Sequence, residues 1–276
     1  IMLKSIQIKN FKAWKDTGPV RLAPLTVIFG ANSAGKSSLG HLLLGLKQTA
    51  LSTDRKRALH LGDEKSLIDL GTFADCINGH DLSKPLDFRV SWSLPKNLEI
   101  KDPLNLSLRY VGNELALAVR LRAGKSEQPE VDTLHYSLRN AETAVMDVYL
   151  KRKFTLESKK YSFKMADGRK WPLEEPEKFY RVSDLSMARF KNAGFLTDFA
   201  LATETMLSSV AYLGPLRNHP KRTYQWSGDT PEGVGQTGEA TVSAILAAQN
   251  EGRMLNRGPK KSKQNFSEFI AAWLKD

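Results

Sequence analysis

Leu25-Thr26-Val27-Ile28-Phe29-Gly30-Ala31-Asn32-Ser33-Ala34-Gly35-Lys36-Ser37-Ser38 is the stretch on which the fold class turns. Leu25–Phe29 is short and nearly all apolar, the pattern of a strand buried on both faces of a sheet. Gly30 to Ser37 then matches G-x-x-x-x-G-K-[ST]. Glycine at that spacing lets successive N–H groups turn inward and form a concave cradle for an anion. From Lys36 to about Ser52, Leu39, Leu42, Leu43 and Leu46 recur at helical spacing. The loop therefore opens an amphipathic helix whose N-terminal dipole favours phosphate. The candidate binding residues are Gly30, Ala31, Asn32, Ser33, Ala34, Gly35, Lys36, Ser37 and Ser38. Lys36 is expected to reach the β- and γ-phosphates of a nucleoside triphosphate, Ser37 to ligate Mg²⁺, and Ser38 to bond near the α-phosphate. ATP with Mg²⁺ is the expected pair. Ser33 stands where many such loops carry glycine.

Upstream, Leu3–Lys9 reads as a strand with Ile6 and Ile8 on one face. Downstream, Leu86, Phe88, Val90, Trp92 and Leu94 alternate with polar residues. Leu104-Leu106-Leu108-Tyr110 and Leu115-Leu117-Val119-Leu121 do the same around Gly112-Asn113, which reads as a hairpin turn. Leu134-Tyr136-Leu138, the run near 145–150 and Tyr161-Phe163-Met165 extend the series. One apolar and one polar face predicts an antiparallel meander with one wet side. After Pro172 the pattern turns helical, most clearly over Phe195–Val210. A short strand over Val210–Leu213, a Gly-rich stretch over 227–238, a helix over Glu239–Asn250, a loop over Ser262–Asn265 and a helix over Phe266–Leu274 follow. The organisation expected is residues 1–85 as strand, loop and first helix, 86–170 as an antiparallel β-subdomain, and 171–276 as a helical part with a return strand. The fold class is α/β, a P-loop NTPase with an antiparallel β-meander subdomain.

Leu3-Lys4-Ser5-Ile6-Gln7-Ile8-Lys9-Asn10-Phe11-Lys12, taken with Gly30–Ser38, resembles the opening of ABC-type ATPase heads of the SMC, RecF and OLD families. Asp69-Leu70-Gly71-Thr72-Phe73-Ala74-Asp75 with Gly79-His80-Asp81 is similar to the segment after the first helix of RecF- and OLD-like ATPases. Tyr212-Leu213-Gly214-Pro215-Leu216-Arg217, Ser227-Gly228 and Val234–Glu239 resemble predicted AAA-family ATPases of prokaryotic anti-phage defence loci. The resemblance implies that Asn10, Phe11, Lys12 and Trp14 lie near adenine and ribose, with Lys12 otherwise a solvated strand-end lysine. It places His80 or Asp81 where ABC heads carry the Q-loop, with no Gln here and a plain loop histidine as the other reading. Arg217 is either a nucleotide or DNA contact or a surface ion-pair residue. Paired heads, an effector such as a nuclease or toxin, and a switch controlled by nucleotide are implied as well. A nucleotide-clamped scaffold without turnover is the alternative, and a small-molecule kinase a third reading that the β-rich insert disfavours.

Composition bounds the rest. A formal charge of +11 and a pI of 9.6 fit either a Lys-rich surface or contact with a polyanion. Lys151, Arg152, Lys153, Lys159, Lys160, Lys164, Arg169 and Lys170 lie together against Glu157 and Asp167, and the choice there is between a DNA backbone and a solvated hairpin surface. Apolar runs fall far short of the roughly 20 residues of a membrane span, and no signal peptide is read at the start. Cys76, the single cysteine, excludes an internal disulfide and suits a reducing compartment, the cytoplasm. No apolar strand ending in Asp-Glu and no Leu-Ser-Gly-Gly-Gln motif is found, so the 276 residues read as the N-terminal part of a head or as a divergent one.

Overall fold

The computed structural model describes residues 1–64, 66–141, 143–151, 155–166, 172–231, 233–256, 258 and 262–275. The chain divides into two compact units, 1–210 and 211–276. The boundaries expected at 85/86 and 170/171 both lie inside the first.

Alternation of apolar and polar side chains builds the first unit. Its sheet contains β1 (Met2–Phe11), β2 (Trp14–Asp16), β3 (Val20–Arg21), β4 (Leu86–Asp102), β5 (Asn105–Ala123), β6 (Pro129–Asn140), β7 (Thr143–Lys151) and β8 (Thr155–Glu157). They lie in the order β2-β1-β4-β5-β6-β7-β8, with β3 also on β1, and every pairing is antiparallel. Every second residue faces one layer of helices. Ile6, Ile8, Phe88, Val90, Trp92, Leu117, Val119 and Tyr136 pack there on Leu39, Leu42 and Leu46 of α1 (Lys36–Leu51) and on Phe199, Met206 and Leu207 of α4 (Leu196–Ser208). Each large apolar side chain so covered contributes ~1.5–3 kcal/mol. Two short helices, α2 (Phe73–Cys76) and α3 (Asp184–Met187), and a 3₁₀ turn at Asn78–His80 complete the unit. The molecule is thus mixed α/β around a large antiparallel sheet.

Several expectations are corrected. Leu25–Phe29 is not a buried strand: Leu25 is 83% and Phe29 88% exposed, and Val27 and Ile28 are exposed too. The reason is topological. β1 has β2 and β3 on one edge and β4 on the other, so it offers no free ladder to the chain leaving β3. The strands β1–β3 and β4–β8 also share one sheet. Gly112-Asn113 is not a turn but the middle of β5; the chain reverses at Pro103-Leu104, where the Asp102 carboxylate accepts from Leu104 N at 3.0 Å. Gly112 serves close packing instead, since a Cβ there would lie 2.6 Å from both Arg139 O and Leu138 Cδ1. Tyr161-Phe163-Met165 forms no strand. Tyr161 packs edge-on against Phe195 and Phe163 edge-on against Phe190, while Phe163 lies nearly parallel to Phe195, and Tyr161 Oη donates to Asn192 O at 2.7 Å. Residues 210–213 are likewise irregular.

In the second unit α5 (Thr241–Asn250) is followed by a hairpin, β9 (Met254–Asn256) and β10 (Lys263–Asn265), and by α6 (Phe266–Lys275). The loop expected over Ser262–Asn265 is therefore mostly strand. Asn265 ends it and caps α6, accepting from Glu268 N at 2.8 Å while its own N–H donates to the Glu268 carboxylate at 3.2 Å.

Gly112→Ala is expected to destabilise the fold by about 1–3 kcal/mol through overpacking, measured by urea denaturation. Gly40→Ala, at an open position on α1 with nothing near its Cβ, should be neutral or stabilising. Equal behaviour of the two would contradict the course of β5 described above.

Candidate phosphate site

α1 begins at Lys36 with no side-chain cap and no acidic residue in its first turn, so no side chain of that turn offsets the positive end of its dipole. Gly35, just before it, holds φ 84, and Ser33 holds φ 62. These left-handed residues bend the loop back on itself. Gly35 is required twice, because a Cβ there would also lie 2.8 Å from Ala13 Cβ. Ala34 N donates to Ala31 O at 3.3 Å and Ser38 N to Gly35 O at 3.0 Å. Among the described residues, no carbonyl or side chain accepts from the amides of Asn32, Ser33, Gly35, Lys36 or Ser37. The Lys36 ammonium folds over the same loop and donates to Gly30 O at 2.8 Å and Ala31 O at 2.6 Å. Ser37 is exposed, whereas Ser38 is buried. The loop thus presents N–H groups and one hydroxyl, with the ammonium, the indole N–H and two amides on the carbonyls of Gly30, Ala31 and Gly35.

The end of β1 braces this loop. Trp14 Nε1 donates to Gly35 O at 2.9 Å. Asn10 and Lys12 hold φ 55 and 49, a strained conformation for both. They are fixed by Asn10 Nδ2 to Pro85 O (2.9 Å), Lys12 N to Cys76 O (2.7 Å) and Asn78 Nδ2 to Lys12 O (2.7 Å). Phe11 is fully buried and bridges to Ile77. The expectation that Phe11 faces a nucleobase is therefore corrected: its ring belongs to the core. Trp14 reaches the loop, Lys12 lies in the turn between β1 and β2, and the Asn10 side chain is held by its own scaffold.

The segment after α1 is tied to the same strand end. Thr72 and Asp75 form a reciprocal cap on α2, and the Thr72 hydroxyl holds the Asp75 carboxyl below its usual range. His80 holds φ 57. Its Nδ1 lies 3.1 Å from Ala74 O and 3.8 Å from Asp75 Oδ1, and the ring is largely exposed. A proton on Nδ1 satisfies both neighbours and leaves Nε2 as an outward acceptor. Asp81, by contrast, is committed to its own turn. It accepts from Ser83 Oγ at 2.6 Å and pairs with Lys84 at 3.1 Å, which lower its pKa. Of the two candidates only His80 has a free polar atom.

His41 was not picked out by motif. It lies four residues after Ser37, hence on the same helix face, half-buried, and burial and then the Lys12 charge depress its pKa. Helical spacing alone could have found it. Cys76 is buried at the same junction, where burial pushes its thiol up to about 11, so it is an unreactive core residue.

The basic stretch is only partly described. Lys151 pairs with Glu157, Lys160 donates to Ala144 O, and Lys159 is exposed. Arg152, Lys153, Arg169 and Lys170 lie outside the described residues. Arg217, in the second unit, donates to Gly214 O within its own turn. Among the described residues no group of three His, Cys, Asp or Glu side chains could hold a metal, and no helix is long and apolar enough to cross a membrane. The sequence matches no family model, and no curated protein is similar to it.

His41 predicts a pH effect. Its folded pKa lies below the ordinary 6.5, so its contribution to stability is present above pH 6.5 and is lost as pH falls through the folded value. Urea midpoints should therefore fall as pH drops below the ordinary 6.5, and His41→Gln should flatten that slope. An unchanged slope would contradict the burial of His41.

Proposed function

We propose that residues 30–38 bind ATP with Mg²⁺. The observation carrying this reading is the set of unpaired amides of Asn32, Ser33, Gly35, Lys36 and Ser37 at an uncapped helix N-terminus, with the Lys36 ammonium folded over the loop. The donor set fits a triphosphate. Backbone N–H groups suit nonbridging oxygens, a mobile ammonium suits the terminal phosphates, and the Ser37 hydroxyl supplies one oxygen to a hard cation that keeps most of its waters. Bound Mg²⁺ would neutralise part of the phosphate charge. The carbonyls of Gly30 and Ala31 hold Lys36 until a stronger acceptor replaces them. Trp14 keeps Gly35 in its left-handed conformation, so the cradle is preorganised.

The wider proposal is an ATP-binding P-loop head of ABC type, a cytoplasmic switch in a prokaryotic DNA-maintenance or anti-phage defence complex. Support comes from the interlocked segments 10–14, 30–38 and 72–80, which overlap three of the stretches that carry the resemblance. Differential affinity for nucleotide between single and paired heads would set the switch. His80 Nε2 and Lys12 are the groups most available to sense what the loop holds.

Calorimetric titration of the full chain with Mg-ATP tests this. Lys36→Ala should weaken binding at least tenfold, in line with the ~1.5–3 kcal/mol of a charged hydrogen bond. Gly35→Ala should do the same through backbone strain. Equal affinity of Lys36→Ala and the parent would remove the site.

A further inference from the structure

We propose that the open face of the sheet holds a separate anion site, built on Arg89 and Thr133, that takes a small phosphate ester. Strand register defines it. Gln7, Arg89, Ala118 and His135 share one rung across β1, β4, β5 and β6, and Lys9, Asp87, Arg120 and Thr133 share the next. These side chains alternate with core residues and so point away from the helices. Ala118, the smallest of them, stands between Arg89 and His135, and a cavity of about 310 Å³ opens over it.

Most charges around the cavity already have partners. Lys9 pairs with Asp16 at 2.9 Å, Arg120 with Asp87 at 2.7 Å, and His135 Nε2 lies 2.9 Å from Asp147 Oδ1. The His135 ring is fixed further by parallel stacking on Tyr149, at 4.0 Å and 6°. Gln7 donates to Asp16. The side chains of Arg89 and Thr133 have neither a hydrogen-bond nor an ion-pair partner among the described residues, although both residues are half-buried. A guanidinium partly withdrawn from water without a counter-ion favours an anion, and its planar donors match phosphate geometry.

Size and charge define the ligand. The cavity is about ten times the ~30 Å³ a water takes in the liquid, room for a phosphate bearing a sugar-sized group. Elsewhere on this face Arg122 pairs with Glu130, Arg139 with Glu114 and Lys151 with Glu157. One surplus cation among the described residues around the cavity, rather than a stripe of them, suits a small anion and not a nucleic-acid backbone.

The test is calorimetry on the full chain with ribose 5-phosphate, with inorganic phosphate and oligothymidylate as parallel probes. Ribose 5-phosphate should bind, and Lys36→Ala should bind it equally well. Arg89→Met and Thr133→Val should each weaken it, the first at least tenfold. Ala118→Leu, which fills the cavity and leaves Arg89 in place, should abolish it and decides the matter if Arg89→Met does not fold. No binding by the parent, binding unaffected by Arg89→Met or by Ala118→Leu, dependence on Lys36, or binding of oligothymidylate alone would each overturn the proposal.

Discussion

Five main-chain amides between Asn32 and Ser37 find no acceptor among the described residues, and the elements around the loop leave them open. An N–H without a partner is tolerated only where solvent or a ligand can reach it. The loop stays open because Ser33 and Gly35 turn it with left-handed residues and Trp14 holds Gly35 from the side. α1 carries this arrangement into the core. Its far end is satisfied by Lys178, whose buried ammonium donates to Ala50 O at 2.7 Å and Ser52 O at 2.8 Å. One helix thus has a cation on its carbonyl end and an uncapped amide end, a polarity that favours anions at the loop.

The antiparallel sheet fixes where the loop sits. β1 is held on both edges, and its last residues leave the ladder in strained conformations that Cys76, Asn78 and Pro85 secure. Lys12, Trp14, Gly35 and the turn at His80 are thereby linked through short contacts, not through a long flexible loop. Such strain is retained where the surrounding structure fixes the backbone on several sides. Lys12 is also the one charge that bears on His41, Asp75 and Cys76 together.

Much of this was legible in the sequence because the signals are local. Alternation gave β1, β4, β6 and β7, the leucine spacing gave α1, and the glycine and lysine spacing gave the loop. Signals that depend on distant neighbours misled. Gly112-Asn113 has turn composition, but Gly112 is small because Arg139 O and Leu138 pass close to it. Leu25–Phe29 has the composition of a doubly buried strand, yet burial needs a ladder partner, and β1 has none to give. Phe11 looked available for a base because local pattern cannot tell a core ring from an exposed one. Asp81 looked like a site carboxylate, but it closes its own turn.

The most direct measurement is of the amides themselves, by ¹H–¹⁵N correlation spectra of the full chain titrated with Mg-ATP. The resonances of Asn32, Ser33, Gly35, Lys36 and Ser37 should move downfield together as they gain phosphate acceptors, with the Trp14 indole N–H retained. Unmoved resonances at saturating nucleotide, or shifts confined to other segments, would contradict the assignment of residues 30–38 as the phosphate cradle.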